Sequence, residues 1–229
     1  SAYSGEVFRA KIGKPNGIVR IIHNGVSRAE FEPVTVAPDA TDLVFIGEFR
    51  PVKGINFLID AIDALRRRNL PLTATLVGGG PEEQSLRAQV QRLSLQDAVR
   101  FAPVMPARRA LTLGKTMVIP SLAESLPYVV LETAAAGKPL ITTRVGGIPE
   151  IYGPLTDNLV QAGDAEALAE AIAHTIADPN GADDLARALR ERVAAHFSID
   201  AMVDGVLSAY RQALGEPVRL ADPALAPKR

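Results

Sequence analysis

Cysteine and tryptophan are absent from the 229-residue chain, and aromatic residues make up only 5% of it. Without cysteine there is no disulfide framework, no thiolate metal site and no cysteine nucleophile. An excess of one charge is missing too. Against 25 Lys and Arg stand 26 Asp and Glu, a net charge of −1, so nothing points to nucleic acid or an acidic surface as a partner. No stretch approaches the roughly 18–20 apolar residues of a membrane span. Ser1 to Lys14 mixes Glu6, Arg9 and Lys11 with isolated apolar residues, and no signal-peptide core follows. A soluble, cytoplasmic chain is the default expectation. The three histidines, His23, His174 and His196, have no metal-ligand spacing within a helical turn, so no metal is expected.

What is present alternates. Leu43-Val44-Phe45-Ile46 is a short apolar run closed by Gly47, as suits a strand buried on both faces. Ile55 to Arg68 then places Ile55, Leu58, Ile59, Ile62 and Leu65 at helical intervals, with a basic end that complements the helix dipole. Thr73–Val77 returns to strand and ends in Gly78-Gly79-Gly80-Pro81, where proline at the first helical position opens a helix over Glu82–Leu93. Further strands are expected at Val99–Phe101, Met117–Pro120, Leu140–Thr143 and Asn158–Val160. Helices are expected at Ala107–Leu113, Pro127–Ala136 with Gly137 as its cap, Ala165–Ala177, Asp183–His196 and Asp200–Leu214. Arg20–Val26 reads as a strand entering a turn. The pattern predicts a single Rossmann-like α/β domain with a parallel sheet of about six strands, helices on both faces and extra C-terminal helices.

In such sheets ligands bind beyond the carboxyl ends of the strands. That rule selects the segments 47–54, 78–81, 102–106, 121–127 and 144–149. Glu124 and Glu132, with seven residues between them, flank the start of the helix near Pro127. Free amides at Ser125, Leu126, Tyr128 and Val129, together with the positive end of the dipole, could hold a phosphate there. Arg50 and Lys53 lie in the loop after the first strand, where cations could neutralise a diphosphate as its charge grows. Each feature also has an ordinary reading: a capping Glu124, a solvated Lys53, a tight turn at Gly78–Pro81 that fits neither a P-loop nor a dinucleotide fingerprint. Arg66–Arg68 and Arg108-Arg109 are solvated faces, and no nucleophile elbow supports a serine triad.

In order along the chain, these pieces resemble the donor-binding half of retaining glycosyltransferases of the GT-B fold, the large family numbered 4. The resemblance runs from Arg20 to about Leu214. It rests on Ile22-His23-Asn24-Gly25-Val26 with Phe31-Glu32-Pro33, on Phe45-Ile46-Gly47 with Lys53-Gly54, and on Val77-Gly78-Gly79-Gly80-Pro81. Pro120-Ser121 with the Glu124 and Glu132 pair, Gly137-Lys138-Pro139 and Gly146-Gly147-Ile148-Pro149-Glu150 complete it. The resemblance implies that Glu124 contacts donor sugar hydroxyls, Glu132 the ribose hydroxyls and Lys53 the diphosphate. Backbone amides from Ser125, Leu126, Tyr128 and Val129 would meet the distal phosphate, with Gly47 and Gly80 lining the donor site. No metal or other cofactor is implied. Glu48 stands where the family usually has arginine, and Arg50 is the candidate replacement; Pro127 stands where glycine is common.

The resemblance further implies half of a two-domain enzyme. Residues 1–19 would be the remnant of a preceding acceptor domain or linker, 20–198 the nucleotide-sugar domain, 199–214 a helix crossing back to the missing half, and 215–229 a flexible tail. Such an enzyme moves a sugar, with retention, from a nucleotide-diphospho-sugar to an acceptor glycan or lipid-linked alcohol in polysaccharide biosynthesis. The full-length enzyme could then associate peripherally with a membrane, and the isolated chain would bind nucleotide without transfer. The competing readings are a non-catalytic nucleotide-sugar-binding module and a domain of a sugar-nucleotide 2-epimerase. Base, sugar and acceptor are not specified by these residues.

Overall fold

The computed structural model describes residues 1–215, so the expected tail at 215–229 lies, from residue 216 on, outside the described residues. The first buried strand, β1, spans Thr41–Glu48. Successive side chains of a strand point to opposite faces. Leu43 and Phe45 accordingly enter one apolar cluster, while Val44 enters the other. Four more strands are parallel to it: β2 (Ala74–Gly79), β3 (Val99–Ala102), β4 (Gly114–Ile119) and β5 (Leu140–Thr142), in the order β3-β2-β1-β4-β5. A parallel sheet must be covered on both faces, because each crossover lays a helix across it. Here α2 (Ile55–Arg67), α3 (Glu83–Arg92) and α7 (Ala165–Ala177) cover the Phe45 face. The Val44 face is covered by α5 (Tyr128–Ala135), α6 (Ile148–Tyr152) and α8 (Pro179–His196).

The remaining α-helices among the described residues are α1 (Ala2–Lys11), the single turn α4 (Ala107–Ala110) and α9 (Ile199–Ala213). From β1 the chain proceeds outward through β2 to β3, then returns to place β4 on the other side of β1. The order reverses between β1 and β4, so their carboxyl ends form the crevice in which such sheets bind ligands.

Among the described residues the sheet has five strands instead of six. Residues 153–158 coil into a 3-10 helix, leaving only a bridge from Val160 to Thr143 beside β5. The Arg20–Val26 segment is likewise no strand; only Val26 pairs, with Ser198. The helix after Gly80 begins at Glu83, with Pro81 in the preceding turn. The helix expected from Asp183 starts four residues earlier, at Pro179, because the Asp178 carboxylate accepts from the Gly181 N–H and caps it.

Candidate functional site

Two loops meet at the β1/β4 crevice. After β1 the chain makes a 3-10 turn over Pro51–Lys53 and leaves it at Gly54, whose φ of +64° is costly for any residue with a side chain. A Cβ there would lie 2.2 Å from the Pro120 carbonyl oxygen, so the turn can rest against the end of β4 only with glycine. The Leu122 N–H donates to the Val52 carbonyl at 2.8 Å and joins the loops. This brings the Lys53 Nζ to 2.7 Å from Glu124 Oε1, an oxygen that also accepts from Ser121 Oγ at 2.7 Å. The Glu124 side chain is only 9% exposed, so the pair and the serine together compensate a carboxylate largely withdrawn from water. Among the described residues Oε2 makes no hydrogen bond.

Arg50 Nη1 lies 3.7 Å from Glu48 Oε2, both side chains being well exposed. Tyr3, Glu48, Arg50, Lys53, Glu124 and Ser125 line a cavity of about 420 Å³. The structure therefore gathers Lys53, Glu124 and the well-exposed Arg50 around one space.

Helix α5 starts beside this space, and no side chain caps it; its N-cap is Pro127, which has no N–H. The first-turn amides of Tyr128 and Val129 have no intrahelical partner, and they carry the positive end of the dipole. Leu126 is buried in the apolar cluster, so only its backbone faces the loop. The Tyr128 hydroxyl donates to Met202 Sδ of α9 at 3.8 Å. Glu132 is half-buried, one turn into α5, and does not line the Lys53 cavity. Burial, and secondarily the nearby Glu30 carboxylate, raises its pKa above the ordinary carboxylate value.

Gly47 and Gly80 have a packing role in this fold. A Cβ on Gly80 would lie 2.6 Å from the Phe49 carbonyl oxygen, and one on Gly78 would lie 1.9 Å from that of Gly47. The close approach that these glycines allow is between the carboxyl ends of β1 and β2 and the residues that directly follow them.

Several contributors were not singled out as site residues by sequence. Ser121 holds Glu124, and Thr143 Oγ1 in turn donates to the Ser121 carbonyl at 2.6 Å. Asn24 Nδ2 donates to the Leu126 carbonyl at 2.7 Å and steadies the loop before α5. Gly146 (φ +56°) and Gly147 would carry a Cβ 1.6 Å from the Glu124 carbonyl oxygen and 2.0 Å from that of Ser125. The Gly-Gly step was a visible signal, though its contact with Glu124 is a tertiary one. Glu150 follows at once. Its carboxylate accepts from the N–H groups of Ala2 and Tyr3, at 2.9 Å each, and lies 2.7 Å from His23 Nε2. Burial would raise its pKa, but the Tyr3 and Ala2 amides and the His23 ring outweigh this and hold it below the usual carboxylate value. Among the described residues no cluster of three or more His, Asp or Glu could hold a metal ion, and no helix is long and apolar enough to cross a membrane.

The model of the family described as "Glycosyl transferases group 1" matches residues 40–178, more than half of the chain. The chain belongs to the group 1 glycosyltransferases. Among its group 1 relatives, the glycogen synthase of Mycobacterium tuberculosis is 29% identical over 198 residues, covering 84% of this chain and 48% of that protein. The sucrose-phosphate synthase of Thermosynechococcus elongatus superposes with a TM-score of 0.82 at 29% identity, over 94% of this chain and 57% of that one. Anabaena Alr3699/HepE, solved in complex with UDP, superposes with a TM-score of 0.77 at 18% identity over 92% of this chain and 61% of that one, a likeness of fold. This group 1 chain thus spans about half the length of the curated relative. Its five-stranded domain matches the C-terminal half of GT-B glycosyltransferases.

Proposed function

We propose that this domain binds a nucleoside-diphospho-sugar and forms the donor half of a glycosyltransferase that acts with retention. The observation that carries the reading is the Lys53–Glu124 pair, set beside the uncapped start of α5 at the β1/β4 crevice. A diphosphate against the first-turn amides of α5 meets the dipole's positive end, and Lys53 and Arg50 add full charges. When the bond from the sugar's anomeric carbon to the diphosphate breaks, its electrons go to the departing oxygen, where these cations and amides are most effective. Glu124 keeps Oε2 for sugar hydroxyls, and Glu132 serves the ribose. The incoming hydroxyl oxygen bonds to the anomeric carbon on the face the diphosphate leaves, which is what retention means, and its proton passes to the departing diphosphate oxygen. In this scheme the positive groups of the protein take the charge-neutralising role that a metal ion plays in other sites. UDP bound to a protein of the same fold, and relatives named glycogen synthase and sucrose-phosphate synthase, support a nucleotide-sugar donor. The acceptor glycan or lipid-linked alcohol would be held by a second domain of the full-length enzyme, so that transfer needs both halves, and the enzyme would act in the cytoplasm.

Titration calorimetry of the 229-residue chain with UDP, GDP and ADP tests this reading. One of the three should bind, and Lys53→Ala should weaken it by at least tenfold, about the effect of losing one charge-assisted contact. A folded chain that binds none of them, or a Lys53→Ala variant that binds as well as wild type, would sink the proposal.

A further inference from the structure

The donor cavity has one wall that belongs to neither loop of the crevice. Tyr3, in the first turn of α1, lines it with Lys53 and Glu124. No residue of α1 is buried, and Tyr3 itself is exposed, so packing in the core does not hold the helix. What holds its start in place is Glu150. That carboxylate takes both the Ala2 and Tyr3 amides, the first two N–H groups of the helix, and the His23 ring braces its Oε2. The backbone of Glu150 is fixed in turn: Arg192 donates from Nη2 to the Glu150 carbonyl at 3.1 Å and from Nε to that of Ile151 at 2.7 Å. Just before Glu150, Gly146 and Gly147 lie against the carbonyls of Glu124 and Ser125. One short segment therefore touches the Glu124 loop with its glycines and the Tyr3 helix with its carboxylate.

We propose that Glu150 is a positioning residue for donor binding: by holding the first turn of α1 it sets Tyr3 as the wall of the cavity over Lys53 and Glu124. The inference rests on the donor reading above. It assigns Glu150 no contact with the nucleotide sugar. A carboxylate suits the task because it can accept from two adjacent helix amides and an imidazole at once, and because its charge complements the helix start.

A double-mutant cycle on the full chain tests it, with nucleotide affinity read by calorimetry and hydrogen exchange read over residues 2–11. Glu150→Ala should speed exchange in the first turn of α1 and weaken nucleotide binding by roughly three- to tenfold, the range expected for coupled neighbours. Tyr3→Ala should weaken binding by a similar factor. In the Tyr3→Ala background, Glu150→Ala should cost almost nothing more. An equal loss in both backgrounds would show that Glu150 acts by some other route, and would overturn the proposal. If Glu150→Ala fails to fold, Glu150→Gln serves: it keeps the side-chain size and one acceptor oxygen, and should give a smaller loss with the same dependence on Tyr3. Unchanged exchange over residues 2–11 in the variant refutes the tether whatever the nucleotide result. A wild-type chain that binds none of UDP, GDP and ADP refutes the donor reading, and the positioning role with it, while the exchange result still decides whether Glu150 holds α1.

Discussion

Lys138 shows how a single buried group can shape the response of this fold to pH. It is 6% exposed, among the described residues its Nζ donates only to the Lys115 carbonyl at 3.2 Å, and burial lowers its pKa from 10.5 to about 8. Between those values the unfolded chain binds a proton that the native chain has lost, so stability must rise with pH across that window. At pH 7 both states are protonated and the native state carries the whole cost of burying the charge, on the order of 3 kcal/mol. Tyr152 works in the opposite sense. Its fully buried hydroxyl is pushed well above its normal pKa, so above about pH 10 the unfolded chain ionises first and stability falls. The urea midpoint should therefore climb from pH 8, pass through a maximum and decline above pH 10. Lys138→Met should remove the climb and raise the midpoint at pH 7. A flat profile in the wild type would contradict the assigned burial of the ammonium group.

At the scale of elements, the site depends on turns that rest against one another with no room for a side chain. Gly146→Ala is the sharpest test, since the new Cβ would lie 1.6 Å from the Glu124 carbonyl oxygen on a backbone with φ of +56°. The strain alone should cost about 1–3 kcal/mol in chemical denaturation. Relief by moving the Glu124 loop should also weaken nucleotide binding, which calorimetry would register. A variant with wild-type affinity would mean that this loop does not position Glu124. The same elements show which signals a sequence carries openly. Helix α7 occupies the expected residues 165–177, because apolar spacing and the Asp164 cap agree. The start of α8 was misplaced although Asp178-Pro179 is a cap followed by proline at the first helical position, a stronger signal than the apolar spacing that begins later. The sixth strand is reduced to the bridge at Val160, because Pro154 opens a 3-10 helix that takes in Asn158 and leaves only Leu159 and Val160 to run beside β5.

For the whole molecule, the sheet makes the two apolar clusters one cooperative unit. Strand β1 supplies Leu43 and Phe45 to one cluster and Val44 to the other, so a defect on one face is felt on both. Phe45 is 1% exposed, and Phe45→Ala should cost about 3–5 kcal/mol. That is a large share of the roughly 5–15 kcal/mol typical of a domain. Far-UV circular dichroism should show one transition at a lower midpoint, and exchange in α5 and α8, across the sheet from Phe45, should accelerate with it. Protection that persists in α5 and α8 while α2 and α3 open would show that the faces unfold separately.

The sequence by itself determined the α/β class, the parallel sheet and the alternation of strands and helices along the chain, because strand and helix periods and their glycine and proline boundaries are local properties. It also marked Lys53 and Glu124, since both follow strands at the end where such sheets bind ligands. Only the tertiary structure decided that those two residues form a 2.7 Å pair, that Ser121 shares the same oxygen, and that Glu132 stands away from their cavity. It alone revealed Glu150 holding a helix start almost 150 positions earlier in the chain. Contacts of that kind arise from how loops at the end of a twisted sheet converge, and no local pattern of residue types encodes the convergence.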